Sequence, residues 1–234
     1  MNYGTKDLVI VITGGTSGIG RACAEVLVSE GAKVFVLARH EKKVKNCIFV
    51  KCDVTKRADV KTAMAKVAKM AGRIDILINS AGVYTEQMLE RSTDKDYNLL
   101  MDTNVKGTVL AIQYALKYMD KGNVANVASD AGIRGNYGCA LYSATKGAVV
   151  ALTRSLALDL APNIRVNCVC PADVDTPLLQ KQCKAGHYTY ADVARAYSLQ
   201  RVARAEEVAH VICSVVSPSN GFMTGSIVPV TGGL

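Results

Sequence analysis

The sequence predicts an α/β fold built on a single doubly wound parallel sheet with helices on both faces. Along its 234 residues, apolar runs alternate with segments of helical pattern. The runs are continuously apolar, which is typical of strands that are buried on both faces, as in a parallel sheet. No linker rich in Pro, Gly or Ser interrupts the chain, so we expect one domain over residues 1–234.

Seven apolar runs are the predicted strands, and five stretches between them are the predicted helices. The strands are Leu8–Thr13, Lys33–Ala38, Cys47–Val50, Ile74–Asn79, Val124–Ala128, Ile164–Val169 and Ser226–Val230. The helices lie near 18–30, 56–71, 94–119, 142–161 and 205–216. Residues 40–46 are too few for a full crossover helix, which needs about a dozen residues or more. Residues 175–204 match no central strand, and we predict one or two small helices forming a mobile lid.

Composition argues against several classes of protein. With 50% hydrophobic and 21% charged residues, the chain is an ordinary globular sequence. It has no apolar run long enough to span a bilayer and no secretory signal pattern, so we expect a cytoplasmic protein without a membrane partner. Its eight cysteines lack C-x-x-C spacing, and we predict no metal site. The net charge of +8 is not gathered into one block, so we expect no nucleic-acid partner.

A glycine-rich turn stands between the first predicted strand and the first predicted helix. Gly14, Gly18 and Gly20 follow the spacing G-x-x-x-G-x-G. Glycines allow a tight turn and the close approach of a pyrophosphate, while the helix N-terminus offers free N–H groups to the anion. We therefore predict a dinucleotide site here rather than a turn without a ligand. The turn residues assigned to it with the glycines are Thr16, Ser17 and Ile19.

The end of the second strand indicates which dinucleotide binds. An acid about 20 residues beyond the glycines usually holds the ribose 2′-hydroxyl of NAD. Here the sequence VFVLARH supplies Arg39 and no acid. A guanidinium pairs well with a 2′-phosphate, and Lys42 and Lys43 add positive charge. The alternative is a solvated arginine at a strand end, but the missing acid favours NADP over NAD.

Tyr142 and Lys146, in the segment YSATK, are spaced i and i+4 on a predicted helix and therefore share one face. A fixed cation favours a phenolate and would lower the pKa of the tyrosine from its free value near 10. Tyr142 could then exchange a proton with a carbonyl or alcohol oxygen. By itself this pair is a weak signal, because it also arises by chance on a helix surface.

Several motifs in a fixed order make the signal specific. They are TGGTSGIG at 13–20, NSAG at 79–82, Asn104, Ser129, YSATK at 142–146 and PADVDTP at 171–177. Together they resemble the short-chain dehydrogenase/reductase family over essentially the whole chain. The resemblance implies a Rossmann-type domain and hydride transfer between a nicotinamide and a carbonyl or secondary alcohol.

The resemblance also implies roles for single residues. Tyr142 would be the general acid/base, Lys146 would hold the nicotinamide ribose, Ser129 would bind the substrate oxygen, and Asn104 would position a water. The other implied cofactor contacts are Asp53 and Val54 at the adenine, Asn79, Ala81 and Gly82 at its ribose, and Pro171, Val174 and Thr176 at the nicotinamide. Three departures from the family pattern affect the geometry of cofactor binding: Ser80, Ala172 and Thr231.

The sequence constrains the identity of the substrate and the oligomeric state less than it constrains the cofactor. The GNYG segment and the cations Lys181, Lys184 and Arg195 resemble 3-oxoacyl-carrier-protein reductases, because basic patches attract an acidic carrier. Alternatives are a sugar, polyol or steroid alcohol substrate, a catalytically idle nucleotide-binding scaffold, or an epimerase or dehydratase. The lid residues His187, Tyr188, Tyr190 and Tyr197 could line a pocket or be solvated. The apolar helices near 99–116 and 142–160 predict a homo-oligomer, dimer or tetramer.

Overall fold

A parallel sheet of seven strands forms the centre of the computed structural model, which describes residues 2–186 and 188–234. The strands of this sheet are β1 (Val9–Thr13), β2 (Lys33–Ala38), β3 (Ile48–Lys51), β4 (Ile76–Asn79), β5 (Gly122–Val127), β6 (Ile164–Pro171) and β9 (Ile227–Val230). Two short strands, β7 (Val174–Asp175) and β8 (Ala203–Arg204), lie outside it. The α-helices are α1 (Gly18–Ser29), α2 (Arg57–Ala71), α3 (Asp94–Leu100), α4 (Gly107–Ala115), α5 (Ala131–Arg134), α6 (Ala140–Asp159), α7 (Pro177–Gly186), α8 (Tyr190–Ala194) and α9 (Ala205–Val216).

The order of the strands places a ligand crevice at the middle of the sheet. The order is β3-β2-β1-β4-β5-β6-β9, and every neighbouring pair is parallel. After β1 the chain adds β2 and β3 on one side of the sheet. It then returns to add β4, β5, β6 and β9 on the other side. At such a switch point the loops after the carboxyl ends of the strands diverge and leave a crevice for a ligand. This is the Rossmann-type architecture that the sequence predicts.

The sheet is covered on both faces, which explains the continuously apolar strands. All five residues of β1 are buried. Val9 and Val11 pack in one core cluster with residues of α2 and α4, whereas Ile10 and Ile12 pack in another with residues of α1 and α9. Because successive side chains point to opposite faces, both sets of positions must be apolar.

Most of the predicted strands and helices begin and end within two residues of the observed ones. The observed elements differ from the prediction at three places. The helix predicted near 94–119 is α3, a π-helical turn (Met101–Lys106), α4 and a short 3₁₀ turn (Leu116–Tyr118) in succession. The short helix α5 before α6 has no counterpart among the predicted helices. The segment 175–204 contains α7 and α8 as expected, but β7 and β8 also pair with each other in a second, two-stranded sheet.

The connection between β2 and β3 contains no helix, as its length predicts. The two strands are nevertheless parallel, with Phe35 opposite Ile48. Val44 in the connection is buried in the core beside α1 and so holds the connection against the sheet. Within the described residues, no helix is both long and apolar enough to cross a membrane.

Candidate active site

A cleft of about 760 Å³ opens at the carboxyl ends of the central strands. Most of the residues predicted for the site line it. They are Gly14, Thr16, Ser17, Gly18, Ile19, Arg39, Asp53, Val54, Ala81, Gly82, Ser129, Tyr142, Lys146, Pro171, Val174 and Thr176. Three predicted residues, Gly20, Asn79 and Asn104, lie outside its lining, each for its own reason.

The turn between β1 and α1 leaves room for a phosphate. Gly14 has φ +67°, and a Cβ on it would lie 2.8 Å from the Cα of Ala81, so a side chain is excluded on steric and conformational grounds. The Ser17 side chain does not cap α1, so it leaves the N–H groups at the start of this helix available to an anion. Gly20 packs against the turn itself, since its Cβ would lie 2.6 Å from the Gly14 carbonyl oxygen. Gly20 therefore shapes the turn rather than lining the cleft.

The adenine end of the cleft is positively charged. Arg39 is exposed at the end of β2 and lines the cleft together with His40 and Lys42. Asp53, which faces them, accepts hydrogen bonds from the Thr55 N–H at 3.0 Å and the Thr55 hydroxyl at 2.8 Å. Burial acts to raise the pKa of Asp53, but these hydrogen bonds and the charge of Arg39 lower it overall. A fixed carboxylate and free cations therefore meet where an adenosine 2′-phosphate would bind.

Tyr142, Ser129 and Lys146 converge at the other end of the cleft. Tyr142 and Lys146 lie one turn apart on α6 and both are buried, with the Lys146 Nζ 5.7 Å from the centre of the Tyr142 ring. Ser129 follows β5, and its side chain interacts with the phenol and lowers the pKa of Tyr142. The edge of the Tyr84 ring meets Tyr142 at a centroid distance of 4.8 Å and holds it in place.

The net pKa shift of Tyr142 is opposite to the one expected from its lysine neighbour. Burial is the largest effect and raises the pKa well above the free value, helped by the carboxylates of Asp130 and Asp173. The Lys146 ammonium donates instead to the Val127 carbonyl oxygen at 3.1 Å. Its own pKa is lowered to about 8 because the buried site disfavours the charge. The phenol is therefore protonated at neutral pH, and its raised pKa makes it a weaker acid than a free tyrosine.

Asn104 lies in the π-helical turn, and its side chain is committed to other groups. Its amide nitrogen donates to the Val83 carbonyl oxygen at 2.9 Å and to the Thr145 hydroxyl at 3.1 Å, and its amide oxygen accepts from the Val83 N–H at 2.8 Å. The side chain is therefore committed to these contacts, and the role of Asn104 in positioning a water stays a prediction. Asn104 ties the loop after β4 to α6, close to Lys146, and π turns of this kind often occur at functional sites.

Asn79 does not line the cleft. Its side chain is buried at the end of β4, where its nitrogen donates to the Asn126 side chain at 2.9 Å. Asn126 in turn donates to the Thr153 hydroxyl of α6 at 2.9 Å. Because side chains alternate along a strand, Asn79 points across the sheet, and the contact with the cleft falls to Ser80, Ala81 and Gly82.

Sequence reasoning missed four acidic and aromatic residues of the cleft, Tyr84, Glu86, Asp130 and Asp173. They stand in loops directly after β4, β5 and β6, which is the one signal that could have identified them. Of the lid residues, Tyr188 lines the cleft, whereas Tyr190 donates to Asp175 at 2.7 Å and Tyr197 to Asp173 at 2.5 Å. His187 lies outside the described residues.

The site combines a strand–glycine turn–helix unit with Ser129, Tyr142 and Lys146. This combination is typical of a nicotinamide-dependent oxidoreductase. Residues 14–234 match the family model described as enoyl-(acyl carrier protein) reductase. A curated relative, the 3-oxoacyl-[acyl-carrier-protein] reductase FabG of Thermotoga maritima, is 34% identical over 97% of this chain and 97% of its own length. The chain therefore belongs to the short-chain dehydrogenase/reductase family, and it is an oxidoreductase of that type.

Solved structures of similar proteins agree over almost the whole length. The ligand-free aldohexose dehydrogenase of Thermoplasma acidophilum is 31% identical, with a TM-score of 0.96, and the match covers 100% of this chain and 96% of that one. ElxO with NADP bound is 29% identical, with a TM-score of 0.90 over 97% and 98% of the two chains. Among the described residues of the present chain, no group of three or more His, Cys, Asp or Glu side chains is placed to hold a metal ion.

Proposed function

We propose that this protein is an NADP(H)-dependent oxidoreductase that interconverts a carbonyl and a secondary alcohol. The observation that carries the proposal is the convergence of Ser129, Tyr142 and Lys146 in the cleft that begins at the glycine turn. The family and the NADP-bound neighbour support the choice of cofactor. Arg39 would pair with the 2′-phosphate, and the free N–H groups at the start of α1 would bind the pyrophosphate.

The protein's own contribution to the reaction is positioning and proton transfer. When bound, NADP(H) supplies or accepts the hydride. Tyr142, whose pKa burial raises, donates its hydroxyl proton to the carbonyl oxygen as that oxygen gains charge. Ser129 orients the same oxygen, and Lys146 holds the ribose side of the site. In the reverse direction Tyr142 must first release its own proton to solvent, and the resulting phenolate takes the proton from the alcohol. One hydride and one proton therefore leave the alcohol in each turnover.

Two substrate classes are suggested by the relatives. One is an acyl thioester, as in the name of the reductase from Thermotoga maritima, and the other is a sugar, as in the name of the dehydrogenase from Thermoplasma acidophilum. The three cations that favour an acidic carrier support the first class weakly. Lys181 lines the cleft, but Arg195 is paired with Asp192 at 3.0 Å. Residues of α7 and α8 line one side of the cleft. We propose that the segment that holds these two helices opens and closes as a lid within a single domain.

The proposal extends to the compartment. Each of the eight cysteines is free of a disulfide. Reduced thiols at these positions suit a reducing environment, and we propose a cytoplasmic location.

Replacing Tyr142 by phenylalanine tests the proposed chemistry. The variant Tyr142→Phe keeps the ring that packs on Tyr84 but removes the proton donor. Turnover, followed at the nicotinamide absorbance over a panel of carbonyls and alcohols with both cofactors, should fall by about a hundredfold or more. The affinity for NADPH, measured by its fluorescence, should stay nearly constant.

Tyr118→Phe, at a partly buried tyrosine away from the cleft, is the matched control and should be fully active. If Tyr142→Phe keeps most of its turnover, the phenol is not the acid and the proposed mechanism is wrong.

A further inference from the structure

Three carboxylates line the end of the cleft that holds Ser129 and Tyr142. Glu86 stands in the loop after β4, Asp130 directly follows Ser129, and Asp173 follows β6. They approach the site from three different strand ends and therefore surround the position of a bound substrate. We call Glu86, Asp130 and Asp173 the acidic wall.

Two members of the acidic wall, Glu86 and Asp173, are held by hydrogen bonds alone. Glu86 accepts from the hydroxyls of Tyr84 at 3.3 Å and Tyr188 at 3.4 Å. Asp173 accepts from the Tyr197 hydroxyl at 2.5 Å. Neither carboxylate has an ion-pair partner in the described part of the chain. Each can still accept further hydrogen bonds, because a carboxylate offers about four lone-pair positions.

Asp130 differs because Arg134 pairs with it at 3.3 Å. It also accepts from the Ser129 hydroxyl at 2.8 Å. The Ser129 oxygen in turn accepts from the Ala131 N–H at 3.2 Å and also interacts with the Tyr142 phenol. The carboxylates of the acidic wall thus present acceptors to the substrate.

The three carboxylates act on one another through a shared field. Burial raises the pKa of Asp173, and the charges of Asp130 and Glu86 raise it further. Burial also raises the pKa of the Cys139 thiol beside them, and the charges of Glu86, Asp173 and Asp130 raise it further. Three carboxylates therefore line the substrate end of the cleft beside the buried Lys146, whereas Arg39 and Lys42 line the adenine end. The exposed Lys181 also lines the cleft.

Such a surface suits some substrates and opposes others. An acyl chain laid along it would strip water from two carboxylates that lack counter-ions, which is costly. An anionic group would be repelled. A molecule with several hydroxyls can donate to each carboxylate and replace the water it removes. The exposed Tyr137 and the half-buried Tyr188 add flat faces for a sugar ring.

We propose that the acidic wall selects an uncharged polyhydroxylated substrate, an aldose, ketose or polyol, over an acyl thioester. The inference rests on the proposed function and specifies the substrate of the same site. The redox balance is unchanged: oxidation of one carbinol releases one hydride to NADP⁺ and one proton through Tyr142.

A series of matched substrates tests the charge requirement. The intact enzyme is assayed with NADP⁺ on D-glucose, L-fucose and ribitol, on D-glucosamine and D-glucuronate as charged analogues, and with NADPH on D-fructose and acetoacetyl-CoA. A neutral sugar or polyol should have a kcat/KM at least tenfold above that of acetoacetyl-CoA or glucuronate. Binding of the best sugar to the enzyme–NADP complex, measured by calorimetry, should follow the same order.

Two isosteric variants then probe the wall. Glu86→Gln and Asp173→Asn remove the charge and keep an oxygen for the tyrosine hydroxyls. Each should weaken binding of the neutral sugar by about tenfold, the scale of one hydrogen bond to a charged group, and should improve the relative use of glucuronate. NADPH affinity should not change. Glu90→Gln, an exposed glutamate outside the cleft, is the matched control and should behave as the unmodified enzyme.

The inference and the proposed function fail in different ways. If acetoacetyl-CoA is preferred, or if the Gln and Asn variants bind sugar normally, the acidic wall does not select the substrate, although the oxidoreductase assignment stands. A preference for glucosamine over every neutral sugar would overturn the uncharged class in favour of a cationic one. If no carbonyl or alcohol reacts at all while NADPH still binds, the proposed function itself is wrong.

Discussion

Burial raises the pKa of Tyr142 and lowers the pKa of Lys146, so each side chain is shifted towards its uncharged form. The pKa of the phenol is raised and that of the ammonium is lowered to about 8, in each case mainly because the charged form loses its hydration. Without a bound cofactor, the pair therefore does not behave as a preformed phenolate and ammonium. Binding of NADP(H) places polyanionic and polar groups in the cleft, where a protonated Lys146 can be stabilised.

The lowered pKa of Lys146 predicts a pH dependence of stability. The unfolded chain retains this proton up to about pH 10.5, whereas the folded protein releases it near pH 8, so between these values the unfolded state binds more protons. The contribution of Lys146 to the free energy of unfolding therefore rises with pH across this interval, by an amount on the order of 3 kcal/mol.

Melting temperatures of the unmodified protein and Lys146→Met, measured without cofactor from pH 7 to pH 10, reveal this contribution by difference. The unmodified protein should gain stability relative to the variant as the pH rises. Lys66→Met, at an exposed position on α2, is the control and should give parallel curves. A difference that stays constant with pH would show that Lys146 is not destabilised by burial.

Arg39 predicts the choice of cofactor. The variant Arg39→Asp replaces a phosphate partner with the acid that would hold a ribose hydroxyl, so affinity should shift from NADPH to NADH. Fluorescence titrations of both cofactors measure the order directly. Lys45→Asp makes the same charge change outside the cleft and should preserve the preference for NADPH. If the unmodified protein binds NADH as tightly as NADPH, the role of Arg39 is disproved.

At this scale, sequence reasoning is most specific where the residue type and the spacing both constrain the chemistry. The catalytic roles of Tyr142, Lys146 and Ser129 stay predictions, but all three residues line the cleft. Asn79 and Asn104 do not, because an asparagine in a motif can serve either a ligand or the protein's own backbone. Which of these it serves depends on the direction of its side chain, and that direction is set by strand alternation and by the π turn.

At the scale of elements, the contact between α5 and α6 fixes the position of Lys146. A Cβ on Gly132 of α5 would lie 2.6 Å from the carbonyl carbon of Lys146 and 2.8 Å from the backbone nitrogen of Gly147. The two helices can approach this closely only because Gly132 has no side chain. Neither α5 nor this contact was predicted, since a four-residue helix has no detectable periodicity.

Gly132→Ala should therefore separate the two helices and displace Lys146. We expect a loss of about 1–3 kcal/mol in stability, the usual cost of overpacking, together with reduced turnover. Thermal unfolding and the nicotinamide assay measure the two effects. Gly147→Ala is the matched control, because its Cβ would lie at an ordinary 3.6 Å from the Gly132 carbonyl oxygen, and alanine favours a helix. Equal behaviour of the two variants would refute the packing argument.

The larger elements were predictable because their patterns reflect burial. Continuously apolar strands, a glycine turn and long helices each follow from the sheet being covered on both faces. The π turn at Met101–Lys106 and the pairing of β7 with β8 depend on tertiary contacts, which leave no local pattern in the sequence. The acidic wall was missed for the same reason, because its three residues are 43 or more positions apart and meet only after folding.

At the scale of the whole molecule, the outer surfaces of α4 and α6 bear on assembly. On α4, Val109 is 40% exposed, and on α6, Leu158 is 82% exposed. The outer face of α6 also carries Arg154 and Ser155, so it is less uniformly apolar than the sequence pattern indicated. Exposed aliphatic side chains such as Val109 and Leu158 would be buried if these helices packed against a copy of the chain.

We therefore propose a dimer or tetramer in which α4 and α6 meet their symmetry mates. Sedimentation velocity at micromolar protein should show an assembly larger than one chain. Val109→Asp and Leu158→Asp would each place a charge at an isologous contact, where it faces or neighbours its own copy, and should shift the protein towards monomer. Met70→Asp, on α2 with a comparable exposed fraction of 46%, should leave the assembly intact. A monomeric unmodified protein would mean that these faces are simply solvated, and the predicted interface would have to be abandoned.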